Sequence, residues 1–294
     1  MIVSKKIVIF ILPLFLLAAP GCSASIPENR LCPTIRIGSY NILDLFDDVD
    51  DPHKSDSETA DPDRLLQLAD VILTADCDIL MLQEVENISV LTEFNLVYLD
   101  GHYPEVILVE GNDPRGIDVG VLSQLPLTNV VSFADREFEN PYRRSTSRFS
   151  RDLLSVQWID PTGQSWTFLT THLKAGSDWY DGVLRQLQAE EIAEICRERN
   201  FVSPTGRGLA VLAGDLNAQP WTNDLAALRD VPFSDPARDL PYRFTHASGM
   251  ILDYILLSPD ADRRYVVGSF KIFRDPPADE ASDHYLVCLD LRIR

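Results

Sequence analysis

Six strand-like runs in this sequence carry, at or near one end, side chains that hold cations or move protons. The apolar run at 209–213 stops in Gly-Asp-Leu-Asn, so Asp215 and Asn217 stand two residues apart. "IRIGSYN" ends at Asn41, "ILMLQEVE" reaches Glu84, and "FLTTHLK" closes on His172 and Lys174. Asp253 interrupts the apolar "MILDYILLS", and "SDHYLV" opens on Asp283 and His284. Carboxylates, amides and imidazoles are the groups that ligate cations and act as general acids and bases. With period-two alternation, Asp215 and Asn217 project to one side of a continued strand. Each residue also has a plainer explanation. Asp215 and Asn217 suit an Asx-turn or a helix cap, Asn41 a turn, Glu84 a helix cap, His172 a satisfied polar position, and Asp253 a bulge or edge. One plain explanation for each must then cover six coincidences.

The elements that must position these groups alternate along the chain. Strand patterns fall at 34–42, 78–82, 105–109, 118–123, 152–159, 165–171, 209–213, 250–257, 264–271 and 285–292. Helical spacing recurs at 62–74, through Leu65, Leu66, Leu68, Ala69 and Ile72, and at 181–199, through Leu184, Leu187, Ile192 and Ile195. The 209–213 run, preceded by Gly206 and Gly208, suggests a strand covered on both faces. Several strands follow one another without an intervening helix, which points away from a simple doubly wound sheet. The expected architecture is α+β: two packed sheets with helices outside, in one domain from residue 34 to 294. Residues 44–61 are acidic and contain proline, and read as a mobile loop.

Composition narrows the setting. Lys5 and Lys6 precede an apolar stretch from Ile7 to Ala19, too short to span a bilayer, followed by Pro20, Gly21 and Cys22. Residues 1–21 therefore read as an export signal of lipoprotein type, with lipid on Cys22 and a tether over 22–33; ordinary cleavage or an uncleaved anchor are the alternatives. All three place the domain outside the cytosol, membrane-tethered in the cell envelope (periplasmic or surface), or else secreted. Cys77, Cys196 and Cys288 lie in apolar or amphipathic surroundings and are expected as buried thiols; with Cys32 they show no zinc-site spacing. The formal charge is −19, and without Lys5 and Lys6 it becomes −21. Such a surface repels polyanions and disfavours a processive nucleic-acid binder, while an acidic site can hold divalent cations.

The ordered set SYN, LQEVE, GIDVGVLS, THLK, GDLN, LDYILLS and SDHYLV resembles the endonuclease/exonuclease/phosphatase superfamily, from about residue 34 to the C-terminus. The resemblance implies a four-layer αββα sandwich and a metal-dependent phosphoester hydrolase. It assigns Asn41, Glu84 and Asp283 to the metal, Mg²⁺ with Mn²⁺ as the alternative. Asp215 would orient or deprotonate the attacking water, and Asn217 would donate to a phosphoryl oxygen. His284 would be oriented by Asp253. His172 would contact the scissile phosphate or assist the leaving group, with Asp118 as its orienting partner. Lys174 and Arg148 are expected at the substrate phosphate. Arg148 belongs to "RRSTSRFSRD", which also supplies Arg143, Arg144 and Arg151, and a solvated loop balancing nearby acids explains that stretch as well. Arg115 and Arg185 are further candidates.

Two departures stand out. Leu43 occupies the place where relatives acting on abasic sites often carry an acid, with Asp44 one residue further on, and Tyr254 stands where many relatives have His. The expected activity is a phosphodiesterase of nuclease type on nucleic acid, nucleotide or phospholipid head group, with no protein partner implied. The alternatives are a phosphomonoesterase, a sphingomyelinase or phospholipase C-like hydrolase for which Trp179-Tyr180 is the candidate interfacial element, and a non-catalytic surface lipoprotein. Convergence of the polar residues on one cleft separates the enzymes from the last.

Overall fold

Apolar runs that alternate between two covered faces build the centre of this protein. The computed structural model describes residues 33–49, 54, 59–202 and 208–294. The signal segment, Cys22, Cys32, the tether apart from Pro33, Gly206 and much of the acidic 44–61 segment lie outside those residues. In chain order the elements are β1 (Thr34–Leu45), α1 (Pro62–Ala75), β2 (Ile79–Val85), α2 (Ile88–Val97), β3 (Glu105–Leu108), β4 (Asp118–Ser123) and β5 (Thr128–Ser132). The hairpin β6 (Phe138–Asn140) and β7 (Ser145–Ser147) leads into β8 (Leu153–Ile159), β9 (Ser165–His172), α3 (Trp179–Glu198) and β10 (Leu209–Asp215). The chain finishes with α4 (Ala226–Asp230), β11 (Asp253–Leu257), α5 (Pro259–Asp262), β12 (Lys271–Ile272), α6 (Ala278–Ala281) and β13 (Val287–Arg292).

These strands form two mixed sheets, ordered β12-β13-β1-β2-β4-β3 and β11-β10-β9-β8-β5, beside the small β6-β7 ribbon. Each large sheet has one parallel pair, β1 with β2 and β9 with β10. Each pair is a βαβ unit, joined through α1 in one sheet and α3 in the other. Side-chain alternation explains the layers. Ile35, Ile37, Ile79 and Met81 face Phe168, Val211, Ala213 and Ile255 in the core between the sheets. Tyr40, Leu80 and Leu82 point the other way, onto Leu68, Ile72, Leu91 and Phe94 of α1 and α2. Leu169, Ala210 and Leu212 point outward onto Leu187, Ile192 and Ile195 of α3. Three apolar cores thus separate four layers, the αββα sandwich. Full burial of one such side chain contributes about 1.5–3 kcal/mol. Cys77, Cys196 and Cys288 are buried free thiols. No described helix is long and apolar enough to cross a membrane.

Three expectations are corrected. The strand expected over 264–271 shrinks to Lys271–Ile272 and an isolated bridge between Tyr265 and Leu291, because local turn bonds such as Ser269 N–H to Val266 O take the backbone groups first. The strands expected to begin at 250 and 285 begin at Asp253 and Val287. Met250 O instead accepts from Thr245 and His246, and Tyr285 N–H donates to Thr245 O. Helix α2 carried no periodic signal: Val90, Leu91 and Phe94 are buried while Ile88, Leu96 and Val97 are exposed, so apolar residues surround it and mark no stripe.

Gly214 is where β10 presses closest on its neighbour. Its φ is +148°, and a Cβ there would stand 2.0 Å from Thr171 O. Gly214→Ala is expected to cost about 2 kcal/mol or more, as strain plus overpacking, and to lower the urea midpoint at unchanged m value. An unaltered midpoint would mean that β9 and β10 do not approach this closely.

Candidate active site

The carboxyl ends of the two parallel pairs meet at one edge of the sandwich, and the polar strand ends meet there with them. In the second sheet, pairing puts His172 beside Asp215 and Asp215 beside Asp253, one residue from each of three adjacent strands. In the first, Asn41 pairs with Gln83, and Asp118 stands opposite Val85, one residue past Glu84. The ladder slips between Gln83 and Val85, and Glu84 takes φ +66° in the slip. This bulge turns Glu84 out of the core so that it lines the cleft. Leu43, Asp44 and Asn217 also have left-handed backbones, at φ of 54°, 43° and 49°. Such conformations are uncommon outside glycine and concentrate at functional sites. Asp283 and His284 are fixed by Ser282, whose hydroxyl donates to Asn41 O at 2.8 Å and accepts from His284 N–H at 3.1 Å.

Asp215 is the centre of the cluster and is 1% exposed. Its Oδ1 accepts from Asn217 N–H at 2.8 Å, and its Oδ2 accepts from the side-chain amides of Asn41 at 3.1 Å and Asn217 at 3.2 Å. The Nε2 atoms of His172 and His284 lie 3.3 and 3.7 Å from the same Oδ2. Burial raises Asp215 to about 6, with His284 opposing. The two histidines are driven apart. Burial, and then Arg151 and His284, hold His172 well below the ordinary histidine value, so it is neutral. Burial acts to lower His284 too, but the charges of Asp253 and Asp215 and the Asp253 hydrogen bond outweigh it and raise the ring to about 10. That bond joins His284 Nδ1 to Asp253 Oδ2 at 2.9 Å. An imidazolium and a neutral imidazole therefore flank one carboxylate, an arrangement suited to acid–base work near neutrality.

The oxygen-rich side of the cluster fits a divalent cation. Glu84 accepts from Asn41 at 3.1 Å and from Asp44 N–H at 3.1 Å. Burial, followed by the neighbouring Asp44 carboxylate, pushes Glu84 up to about 7. Asp44 Oδ1 and Asp283 Oδ1 are buried without a hydrogen-bond partner, and both residues line the same cleft as Glu84. Crowded carboxylates with unused oxygens are the donor set that hard cations take. The cleft encloses about 770 Å³ and is also lined by Arg115, Arg148, Arg151 and Lys174.

Several expected partners are arranged differently. No hydrogen bond joins Asp118 to His172: Asp118 Oδ1 accepts from Gly111 N–H at 2.7 Å, while Asp118 Oδ2 and His172 Nδ1 have no hydrogen-bond partner. Arg148 pairs with Glu137 at 2.8 Å and Asp135 at 3.3 Å, so it balances neighbouring acids at the cleft rim. Lys174 Nζ is held by Ala175 O at 2.7 Å and Asp181 at 3.3 Å. Arg143 stacks on the Tyr180 ring, and Arg185 is tied to Asp224 and to the Lys174 and Gly176 carbonyls. Arg115 lies 3.6 Å from Asp44, and Arg144 is exposed. Arg151 alone of the basic stretch is buried, with Nε 2.8 Å from Asp113 Oδ2. Sequence reasoning gave no role to Asp44, Asp113, Thr245 or His246. Thr245 Oγ1 accepts from Leu252 and Asp253 N–H, both at 3.0 Å, and so seats Asp253. Their one sequence signal is proximity to motif residues, as for Asp44 behind "SYN".

The sequence model of the Endonuclease/Exonuclease/phosphatase family matches residues 38–284. No curated protein sequence matches the chain significantly. Among solved structures the chain is similar to an endonuclease/exonuclease/phosphatase from Beutenbergia cavernae DSM 12333, at 18% identity and TM-score 0.61 over 88% of this chain and 71% of that one. It is similar to the human Nocturnin catalytic domain with bound sulfate anion, at 18% and 0.63 over 88% and 93%. Sphingomyelinase C from Streptomyces griseocarneus aligns at 17% and 0.58 over 88% and 100%. Likeness at these identities establishes the fold.

The raised His284 value links stability to pH. Its folded value of about 10 exceeds the ordinary 6.5, so its contribution is complete below pH 6.5 and is lost as pH rises through about 10. In EDTA, the gap in urea midpoint between wild type and Asp253→Asn should be widest near about pH 6 and narrow across that window. A constant gap would show that Asp253 does not hold the His284 proton.

Proposed function

The chain belongs to the endonuclease/exonuclease/phosphatase family, a family of phosphoester hydrolases, and from that premise we propose that it is a divalent-metal-dependent phosphodiesterase. The observation that carries this reading is that Asp215, flanked by a neutral and a charged histidine, is joined through Asn41 and His172 to Glu84, which lines one cleft with Asp44 and Asp283. A binding module has no need of that convergence. Asn41, Glu84 and Asp283, with Asp44 beside them, are the residues that would hold the ion, Mg²⁺ or alternatively Mn²⁺. When bound, it supplies Lewis-acid polarisation of the phosphoryl group and charge stabilisation at the leaving oxygen.

The chain's own groups do the rest. Asp215 orients the attacking water and accepts its proton, and its value of about 6 leaves it ionised at neutral pH. Asn217, fixed by its left-handed backbone, commits its amide protons to Leu173 O and Asp215 Oδ2, each at 3.2 Å, so it seats Asp215 and reaches a phosphoryl oxygen by giving up one of those bonds. His284, anchored by Asp253, places positive charge against the developing charge on the phosphoryl oxygens. Neutral His172 has one ring proton, and its Nε2 faces Asp215 Oδ2 at 3.3 Å, where it helps to hold that carboxylate in place. Arg151, buried behind the cleft, adds a fixed positive potential.

A diester is favoured by the shape of the site. The cleft continues into a groove of about 460 Å³, and the two share Arg148, Ser150, Lys174 and Leu184. That leaves room for a substituent on the far side of the phosphorus. A second reading, a sphingomyelinase or phospholipase C-like hydrolase, draws support from an exposed aromatic pair: Trp179 and Tyr142 are 71% and 55% exposed and pack edge to face at 5.6 Å. The N-terminal signal pattern and Cys22 support an enzyme tethered in the cell envelope.

The test is turnover of bis-p-nitrophenyl phosphate against p-nitrophenyl phosphate, with Mg²⁺ or EDTA. Diester turnover should require the metal and exceed monoester turnover. Asp215→Asn and His284→Ala should each lower it by about 10² or more. Monoester preference would favour a phosphatase, and faster release of head group from phosphocholine lipid vesicles than cleavage of a dinucleotide would favour the second reading.

A further inference from the structure

Among the described residues, two groups of acid and histidine side chains bring ligand-type atoms within 4.8 Å of one another: Asp215, Asp253 and His284, and His246, Asp283 and His284. The first is the cluster around Asp215. The second includes His246, which has no part in the chemistry above.

Hydrogen bonding assigns the tautomer of His246. Its Nδ1 accepts from Ser248 N–H at 3.0 Å and lies 2.7 Å from the Ser248 hydroxyl. A nitrogen that accepts a backbone N–H carries no proton, so the ring proton sits on Nε2. Nε2 stands 3.3 Å from Asp283 Oδ2, so the ring proton lies on the nitrogen next to that carboxylate. A histidine that ligated a cation through Nε2 would keep its proton on Nδ1 and donate it outward. Here Nδ1 receives, so the triad is not a three-ligand metal site despite its spacing.

The surroundings make this donor rigid. Thr245 and His246 N–H both donate to Met250 O, and Gly249 N–H donates to His246 O, closing a tight turn. Gly249 takes φ +82° in that turn, a conformation that disfavours a side chain. The turn is bonded to the catalytic segment on both sides, through Ala247 N–H to Asp283 O at 2.8 Å and Tyr285 N–H to Thr245 O at 2.7 Å. The His246 ring also stands edge to face on His284, with centroids 4.6 Å apart.

We propose that His246 is a positioning residue for the cation: its Nε2–H holds Asp283 Oδ2 and thereby reserves Oδ1, buried and without a hydrogen-bond partner, for the divalent ion. This rests on the metal-dependent reading of the site. His246 does not touch the ion or the substrate. It sets the orientation of one carboxylate, so its removal should appear in metal affinity before anything else.

The experiment titrates Mn²⁺ alone into the full chain by calorimetry, comparing wild type, His246→Phe and His246→Gln, with thermal unfolding in EDTA alongside. Phe keeps a ring against His284 and loses the donor, whereas Gln keeps an N–H at similar reach. The expected result is Mn²⁺ affinity about tenfold weaker in His246→Phe, restored largely in His246→Gln, with the EDTA unfolding midpoints of both close to wild type. Equal affinity in wild type and His246→Phe overturns the proposal while leaving the metal site intact. Equal loss in both variants also overturns it, in favour of direct ligation by His246. A wild type that binds no Mn²⁺ overturns the metal-dependent reading itself.

Discussion

The structure turns on one buried carboxylate. Asp215 lies at the end of a strand covered on both faces, where an isolated charge would cost several kcal/mol. It is kept by groups from four places: hydrogen bonds from Asn217 in its own turn and from Asn41 in the other sheet, and the rings of His172 on the neighbouring strand and of charged His284 in the C-terminal segment, 3.3 and 3.7 Å away. None of these is local except Asn217. The two sheets must therefore close face to face for the charge to be tolerated, and the same closure assembles the cleft. Stability and chemistry depend here on a single desolvated group.

The same constraint explains why two histidines in similar positions differ. Both rings approach Asp215 Oδ2, so that carboxylate cannot distinguish them. Their other neighbours do. His284 rests against Asp253 and gains a second negative partner, while His172 is fully enclosed with Arg151, Arg115 and Lys174 nearby and its Nδ1 unpartnered. Burial penalises the charged form of each, and only His284 has enough negative charge around it to prevail. The acidic surface of the whole protein plays no part in this difference; placement within a few ångströms does.

Backbone irregularity performs the final aiming. Regular strands would bury Glu84 and carry Asn217 onward in the pleat. A slipped ladder at Glu84 and left-handed turns at Leu43 and Asp44 bring these side chains to the cleft instead, and the left-handed turn at Asn217 folds its amide back onto Asp215. The Thr245–Met250 turn sets His246 beside Asp283, and Thr245 seats Asp253. These are places where local geometry departs from ideal and long-range hydrogen bonds hold it there.

By itself the sequence determined the elements whose signals are local. Strand β4 matched its pattern at both ends, the apolar runs announced strands covered on both faces, and α1 and α3 showed in their spacing, because alternation and periodicity are properties of neighbouring residues. The motif residues were legible because the polar groups that interrupt apolar strands are few. Helix α2 was not legible, since apolar residues surround it, nor was the failure of the 264–271 strand, since turn bonds competed there on equal local terms. Only the tertiary structure decided the partners: Asp118 with Gly111 rather than His172, Arg148 with its own acids, Arg151 with Asp113, and His246 with Asp283. Protonation states were decided there too. The reason is physical: a side chain's partner and its charge depend on distance and desolvation, which no single stretch of chain encodes until the two sheets have closed.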